Sequence, residues 1–342
     1  MAITIGIDPH KASHTAVAID NTECVLDEIR VRASTKQTNQ LRTWAAGFPD
    51  RVWAIESARG LGYLLAQQLV ATGETVVDVP PVLSTRTRLL GSGKAQKNDP
   101  NDARSVAIAA LRTDGLARVR CDDHAQVLKL LAKRHRDMGR LRGQAACRLH
   151  ALLMELEPGG MAKRMNVTRA NIILDRVVID TEMTAHRVGV AREFAADIAH
   201  CEAQMKTSKA RLRRAVAATS TSLTDIRGVG VVTAAMIIGH VGDVARFKSA
   251  AHFASYNGTA PIEASSGENR RHRLNPRGNR QLNYAMHVVA ITQLRYPCEG
   301  RVYYDRKRAE GKSAKEAIRA LKRQISNVIY RALLADARRM EN

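Results

Sequence analysis

The sequence predicts an α/β domain followed by an all-α remainder, divided at 1–121, 122–218 and 219–342. Three observations predict it. Short apolar runs alternate with stretches of helical spacing up to about residue 80. From about residue 98 apolar residues recur at steps of three and four. Breaks at Pro158-Gly159-Gly160 and at Gly228 and Gly230 then cut the helical part into a long hairpin and a terminal piece.

Ile3 to Asp8 (ITIGID) reads as a strand, with Thr15–Ile19 and Cys24–Val31 as antiparallel neighbours turned at Asp20, Asn21 and Thr22. A helix from Thr35 to Ala46, a strand from Val52 to Glu56, a helix from Leu61 to Thr72 and a strand from Val76 to Val79 follow. Pro80 and Pro81 end that strand, because proline supplies no ladder N–H. The order βββαβαβ is that of an RNase H-like fold.

After the loop GSGKAQK, Asn98 or Asp99 caps a helix with Pro100 in its first turn, which puts Asp99 and Asp102 on one side of its start. Between Asp122 and Leu156 a coiled-coil-like seam runs through Val127, Leu131, Met138, Leu141, Ala145, Leu149, Leu152 and Leu156, interrupted by Arg134. A second long helix spans Thr181–Ala217, so the pair forms a helical hairpin. In LTDIRGVGVVTAAMIIGHVG, Gly228 and Gly230 form a tight turn between two helical segments. That is the pattern of a helix-hairpin-helix whose glycine amides meet a DNA phosphate, and equally that of a structural turn. Lys312–Arg339 reads as a basic amphipathic helix.

The 342 residues carry 54 Lys+Arg against 33 Asp+Glu, a formal net charge of +21. Such a polycation binds nucleic acid through counterion release, with an anionic membrane surface as the competing partner. With no long apolar run and no leader-like N-terminus, the expectation is a soluble, cytoplasmic protein without a membrane partner. The five cysteines are scattered and never in CxxC spacing, which argues against a zinc site or a disulfide framework.

Against this charge, Asp8, Glu56, Asp99 and Asp102 each end a predicted strand or open a predicted helix. Carboxylates gathered in a polycation suit divalent ions, Mg²⁺ or Mn²⁺, that face a polyanion and activate a phosphodiester. Most single carboxylates are merely solvated, but Asp8, ending an apolar strand before Pro9-His10-Lys11, is badly placed for a surface role. The opening GID also begins the phosphate loop of sugar-kinase and actin-like ATPases. PHKASH, which follows here, lacks the glycines that wrap a phosphate, so ATP is disfavoured.

The segment Pro261–Gly278 (PIEASSGENRRHRLNPRG) sets Ser265 and Ser266 before Gly267, with Arg270, Arg271, Arg273, Arg277 and Arg280 following. A serine needs a base or metal to become a nucleophile, and guanidinium forks stabilise phosphoryl oxygens. A flexible SSG loop beside a purely phosphate-binding face is the competing reading. Lys133, Arg134, Arg136 and Arg140 on the middle helix offer further phosphate contacts, or a solvated face.

Taken in order, GIDPHK, AIESARG, KNDPNDA, IRGVG, FASYNGTAPIEASSG and NPRGNRQLN resemble the DEDD transposases of insertion sequences, the bridge recombinases, over nearly the whole chain. The resemblance implies a RuvC-like N-terminal domain, a coiled coil and a C-terminal transposase domain. It places the DEDD positions at Asp8, Glu56, Asp99 and Asp102 and the nucleophile at Ser266. It also implies recombination of donor and target DNA under a structured guide (bridge) RNA, by a homodimer or homotetramer working at the nucleoid. Two rival classes stand beside it: a metal-dependent junction nuclease without a covalent intermediate, and a nucleic-acid-binding protein with structural carboxylates.

Overall fold

The computed structural model describes residues 3–92, 98–159, 165–263, 272–273 and 278–341, in two compact units, 1–122 and 123–342. The first holds strands β1 (Ile3–Pro9), β2 (Ser13–Ile19), β3 (Val25–Arg32), β4 (Arg51–Glu56), β5 (Val76–Val79) and β6 (Ala117–Arg118). Its helices are α1 (Gln37–Trp44), α2 (Tyr63–Ala71), α3 (Pro81–Ser92) and α4 (Asp99–Arg112). The strands form one sheet in the order β3-β2-β1-β4-β5-β6. β1 pairs antiparallel with β2 and parallel with β4, and β5 continues parallel to β4. This is the RNase H-like arrangement, extended by the two residues of β6.

Period two along the strands divides the core. Ile5, Ile7, Trp53 and Ile55 pack with Leu41, Leu65 and Leu69 on one face of the sheet. Ala54 and Val79 face Val106 and Ala109 of α4 on the other, where Val17 and Ile19 meet Ala103 and Ala107. α3 was not expected from the sequence. Ser84, Thr85 and Thr87 lower its helix propensity, and Pro81, read as a strand terminator, also sits at the first position of a helix, where its missing N–H costs nothing.

The second unit comprises α5 (His124–Leu156), α6 (Val167–Leu174), α7 (Glu182–Ala217), α8 (Val231–Val241), α9 (Ala250–Tyr256), α10 (Arg280–Gln293), α11 (Glu299–Ala309) and α12 (Ala314–Glu341). Strands β7 (Ile262–Glu263) and β8 (His272–Arg273) pair antiparallel. α5 and α7 form the expected hairpin. Its distal part encloses Leu149, Leu153, Leu174, Ala191 and Ile198. At its root Leu128, Ala132, Leu212 and Val216 join one core with Ile237, Phe253, Met286, Ile325 and Ile329.

The predicted seam of α5 is corrected in its first half. Val127 and Leu141 are about half exposed, and Leu128 and Ala132 are buried in place of Val127 and Leu131. A Cβ on Gly239 of α8 would lie 2.6 Å from the Lys129 nitrogen, so α8 seats closely on the face of α5 next to Leu128 and Ala132. Among the described residues no helix is long and apolar enough to cross a membrane.

Candidate metal centre

The alternation that sends Ile5 and Ile7 to one face of β1 sends Gly6 and Asp8 to the other. On β4 the same alternation gives Ala54 and Glu56. Because Ile7 pairs with Ile55 in parallel register, Asp8 and Glu56 end neighbouring strands on the same face. α4 lies across that face so closely that a Cβ on Gly6 would fall 2.1 Å from the Ala103 carbonyl and 2.5 Å from the Ala107 nitrogen. The helix start is fixed by Asn98, whose side chain accepts from the Asn101 amide at 2.9 Å, and by Pro100 in the first turn. Asp99 and Asp102 are the acids of that turn, where the helix dipole favours negative charge.

After Glu56 the chain turns through Ser57 at φ 51°, a left-handed conformation that a serine adopts at a cost of roughly 1 kcal/mol. The turn is locked from both sides. The Ser57 amide donates to the Val79 carbonyl at 3.0 Å, and a Cβ on Gly62 would meet Ile55 Cγ2 at 2.5 Å and Pro9 Cγ at 3.2 Å.

Each carboxylate has a side-chain partner. His10 Nε2 lies 3.2 Å from Asp8 Oδ2 and 3.4 Å from Asp99 Oδ1, so it bridges the two. Arg30 reaches Asp99 Oδ2 at 3.4 Å. The Ser84 hydroxyl donates to Glu56 Oε1, and Arg88 Nη1 pairs with Asp102 Oδ1 at 2.5 Å. Asp8 is buried, and burial pushes its carboxyl above the ordinary range. His10 opposes that rise, while the charges of Glu56, Asp102 and Asp99 add to it. The four acids therefore share one electrostatic environment.

One oxygen from each of Asp8 and Asp99 and a ring nitrogen of His10 lie within 4.8 Å of one another. Thr15, the cross-strand partner of Asp8, is buried, and its hydroxyl has no hydrogen-bond partner. Directly paired residues project to the same face of a sheet, so this orphaned hydroxyl belongs to the Asp8 side. Thr15, Glu28, Arg30, Asn98 and Asp99 line a cleft. Crowded oxygen donors, a buried carboxylate held above its usual pKa and an unsatisfied hydroxyl fit a hard divalent cation. His10, Thr15, Arg30, Ser84 and Arg88 were not among the residues predicted for the site. Only the PHK sequence next to Asp8 carried a local signal.

In the second unit, Ser266 and its neighbour Ser265 lie outside the described residues, as do Arg270, Arg271 and Arg277. Arg273 belongs to β8, and Arg280 opens α10 exposed. The ends of the segment carrying these residues are tied together. Asn283 Nδ2 donates to the carbonyls of Asn257 and Gly258 at 3.1 and 2.9 Å, and a Cβ on Gly278 would sit 2.5 Å from Gly258 Cα. Lys322 donates to Asn283 Oδ1 at 2.6 Å, and burial pushes this ammonium down to about 8.

Lys133 and Arg134 are exposed, the latter bonded to Gln204 at 3.1 Å. Arg136 bonds Gln281 and covers the Tyr284 ring at 5.1 Å, and Arg140 pairs with Asp137 at 3.0 Å. At Gly228, where φ is 91°, an added Cβ would lie 3.0 Å from the Val289 carbonyl oxygen, a steric reason for glycine. A Cβ on Gly230 would meet nothing within 4 Å. The segment before this turn is a short 3₁₀ helix, Ser222–Asp225, in place of the expected helical arm.

Two family models match the chain and together span more than half of it. One, described as a transposase of the IS110 DEDD type, covers residues 5–158, and the other, described as Transposase IS116/IS110/IS902 family, covers 220–305. The insertion element IS116 uncharacterized 44.8 kDa protein of Streptomyces clavuligerus is 28% identical over 98% of this chain and 95% of its own. A mini-circle putative transposase for IS117 from Streptomyces coelicolor is 25% identical over 91% and 89%. Among solved structures, Thermus thermophilus RuvC in complex with a Holliday junction substrate matches 35% of this chain and 100% of its own, at 17% identity and a TM-score of 0.29.

Proposed function

Because the chain belongs to the IS116/IS110/IS902 transposase family, we propose that it recombines DNA with the four carboxylates as metal ligands and Ser266 as the nucleophile. The observation that carries this reading is the convergence of Asp8, Glu56, Asp99 and Asp102 at one end of the sheet, on the face that α4 covers. Mg²⁺ or Mn²⁺ held there would polarise the scissile phosphate and neutralise charge developing on its oxygens. His10 and the hydroxyl of Ser84 keep the carboxylates in place. Since His10 offers a nitrogen donor, Mn²⁺ is expected to bind more tightly than Mg²⁺.

In this reading Ser266 Oγ attacks the phosphorus and yields its proton to a base, while one strand oxygen leaves. A serine phosphodiester replaces the DNA phosphodiester, so the bond energy is retained and a second strand end rejoins by the reverse step without ATP. Arg270, Arg271, Arg273, Arg277 and Arg280 stabilise the phosphoryl charge. Donor and target DNA are the substrates, a structured guide RNA selects them, and two or four copies act together.

Trapping tests the nucleophile. Incubated with its own element-end DNA and Mn²⁺, the protein is expected to yield a covalent adduct that peptide mapping places on Ser266. Ser266→Ala should lose the adduct and strand exchange together, whereas Ser265→Ala keeps part of both. An adduct on Ser265 refutes the assignment. DNA cleaved without any adduct leaves the junction-nuclease reading in its place.

The net charge supports a second expected outcome, since six to ten phosphate contacts make affinity for DNA or RNA fall roughly a thousandfold or more between about 50 and 200 mM salt. Replacing Lys133 and Arg134 by alanine should flatten that slope by about two. A salt-independent affinity in filter binding would remove the proposed phosphate contacts.

A further inference from the structure

α3 brings two side chains to the acidic site from one face of a helix, for Ser84 and Arg88 are four residues apart. Their roles differ. Ser84 is neutral, its Oγ lying 3.0 Å from the Pro81 carbonyl while it serves Glu56. Arg88 is a full positive charge, set 2.5 Å from Asp102, with side-chain exposures of 27% and 15% for the two partners. The other cationic partners hold less firmly. Arg30 is 65% exposed and 3.4 Å from Asp99, a pair that water screens strongly, and His10 is 44% exposed.

A carboxylate oxygen held by a guanidinium at 2.5 Å cannot direct the same lone pair at a second cation. Four carboxylates in one environment also repel one another unless positive charge lies among them. We propose that Arg88 is the resident counter-ion of this acidic site, and that it releases Asp102 when a divalent cation loads. The inference rests on the metal reading given above. A guanidinium at the end of a flexible arm can swing outward while Ser84, one turn earlier on the same helix, stays on Glu56. Once released, it faces whatever anion approaches the site. Arg88 thus keeps the metal-free site folded and, by competing for Asp102, weakens cation binding.

The competition is measurable without catalysis. Calorimetric titration of the full-length protein with Mn²⁺ is expected to give about tenfold tighter binding for Arg88→Met than for wild type, because a charge-assisted hydrogen bond no longer has to be broken. Ser84→Ala, which removes no charge and takes from Glu56 the hydroxyl that keeps it in place, should weaken Mn²⁺ binding where Arg88→Met tightens it. In chelator, Arg88→Met should melt below wild type, and Mn²⁺ should raise its melting temperature by more than it raises that of wild type. Should Arg88→Met fail to fold, Arg88→Lys carries the test, since a shorter cation making one contact should bind Mn²⁺ more tightly than wild type. Equal or weaker Mn²⁺ binding by a folded Arg88 variant would overturn the proposal while leaving the metal site standing, and would make Arg88 a residue that positions Asp102 for the ion. No Mn²⁺ binding by wild type or variant would remove the metal reading and this proposal together.

Discussion

Asp8→Asn is expected to abolish strand cleavage and, in the absence of metal, to raise the melting temperature of the protein. The two effects have one cause. Asp8 is buried at the end of β1, and burial followed by the charges of Glu56, Asp102 and Asp99 makes its ionised form unfavourable in the folded chain, with His10 opposing. Its folded pKa lies above the unfolded value, so the stability it contributes is fully present below about pH 4 and is lost as pH rises through the raised value. Asparagine has the same shape and never ionises, so it escapes that loss. The gain in stability should therefore appear at neutral pH and vanish in acid. Activity moves the other way, because an amide is a poor ligand for a hard cation. Losing the several kcal/mol that a metal supplies to phosphoryl transfer costs on the order of a thousandfold or more. Melting curves in chelator at acid and neutral pH, together with a plasmid cleavage assay, check both halves. A variant that cleaves DNA normally, or melts lower than wild type at neutral pH without metal, would contradict the role given to Asp8.

The strands that carry Asp8 and Glu56 were legible in the sequence because each is a short apolar run ending in an acid, and period two fixes which face the acid takes. The start of α4 was legible from the Asn98-Asp99-Pro100 capping pattern, and the structure resolves the cap to Asn98. What lay beyond the sequence was the layer of partners around the acids. Ser84 and Arg88 belong to a helix whose serine and threonines mask its propensity, and they meet Glu56 and Asp102 at separations of 28 and 14 residues, which no local pattern records. Arg30, on β3, reaches Asp99 through the sheet order alone. The first half of the α5 seam was misplaced by one position, while Met138, Ala145 and Leu149 are buried as expected. Step-of-three-and-four spacing leaves neighbouring registers nearly equal, and the close seat of Gly239 on the Lys129 backbone lies on the side that buries Leu128 and Ala132.

Gly6→Ala should act on the fold and the site at once. In the middle of a strand, alanine in place of glycine is ordinarily harmless or mildly stabilising. Here the added methyl would stand 2.1 Å from the Ala103 carbonyl oxygen, 2.5 Å from the Ala107 nitrogen and 2.8 Å from the Ala107 Cβ. Two of the three are backbone atoms of α4, which cannot rotate aside, so the whole helix must move off β1 to restore normal contact. Overpacking of this kind costs about 1–3 kcal/mol. The displacement also carries Asp99 and Asp102 away from Asp8 and Glu56, and misplacing catalytic groups by about 1 Å costs on the order of a hundredfold in rate. Gly6→Val should exceed both effects. Gly143→Ala is the comparison, since a Cβ there meets nothing within 4 Å and lies inside α5, where alanine favours the helix by up to about 1 kcal/mol. Thermal melts of the two variants should shift in opposite directions, and Mn²⁺ affinity should fall in Gly6→Ala while Gly143→Ala keeps the wild-type value, if β1 and α4 owe their contact to the missing side chain. Wild-type melting and wild-type Mn²⁺ affinity in Gly6→Ala would mean that α4 is held over the acidic site by something other than its close seat on Gly6.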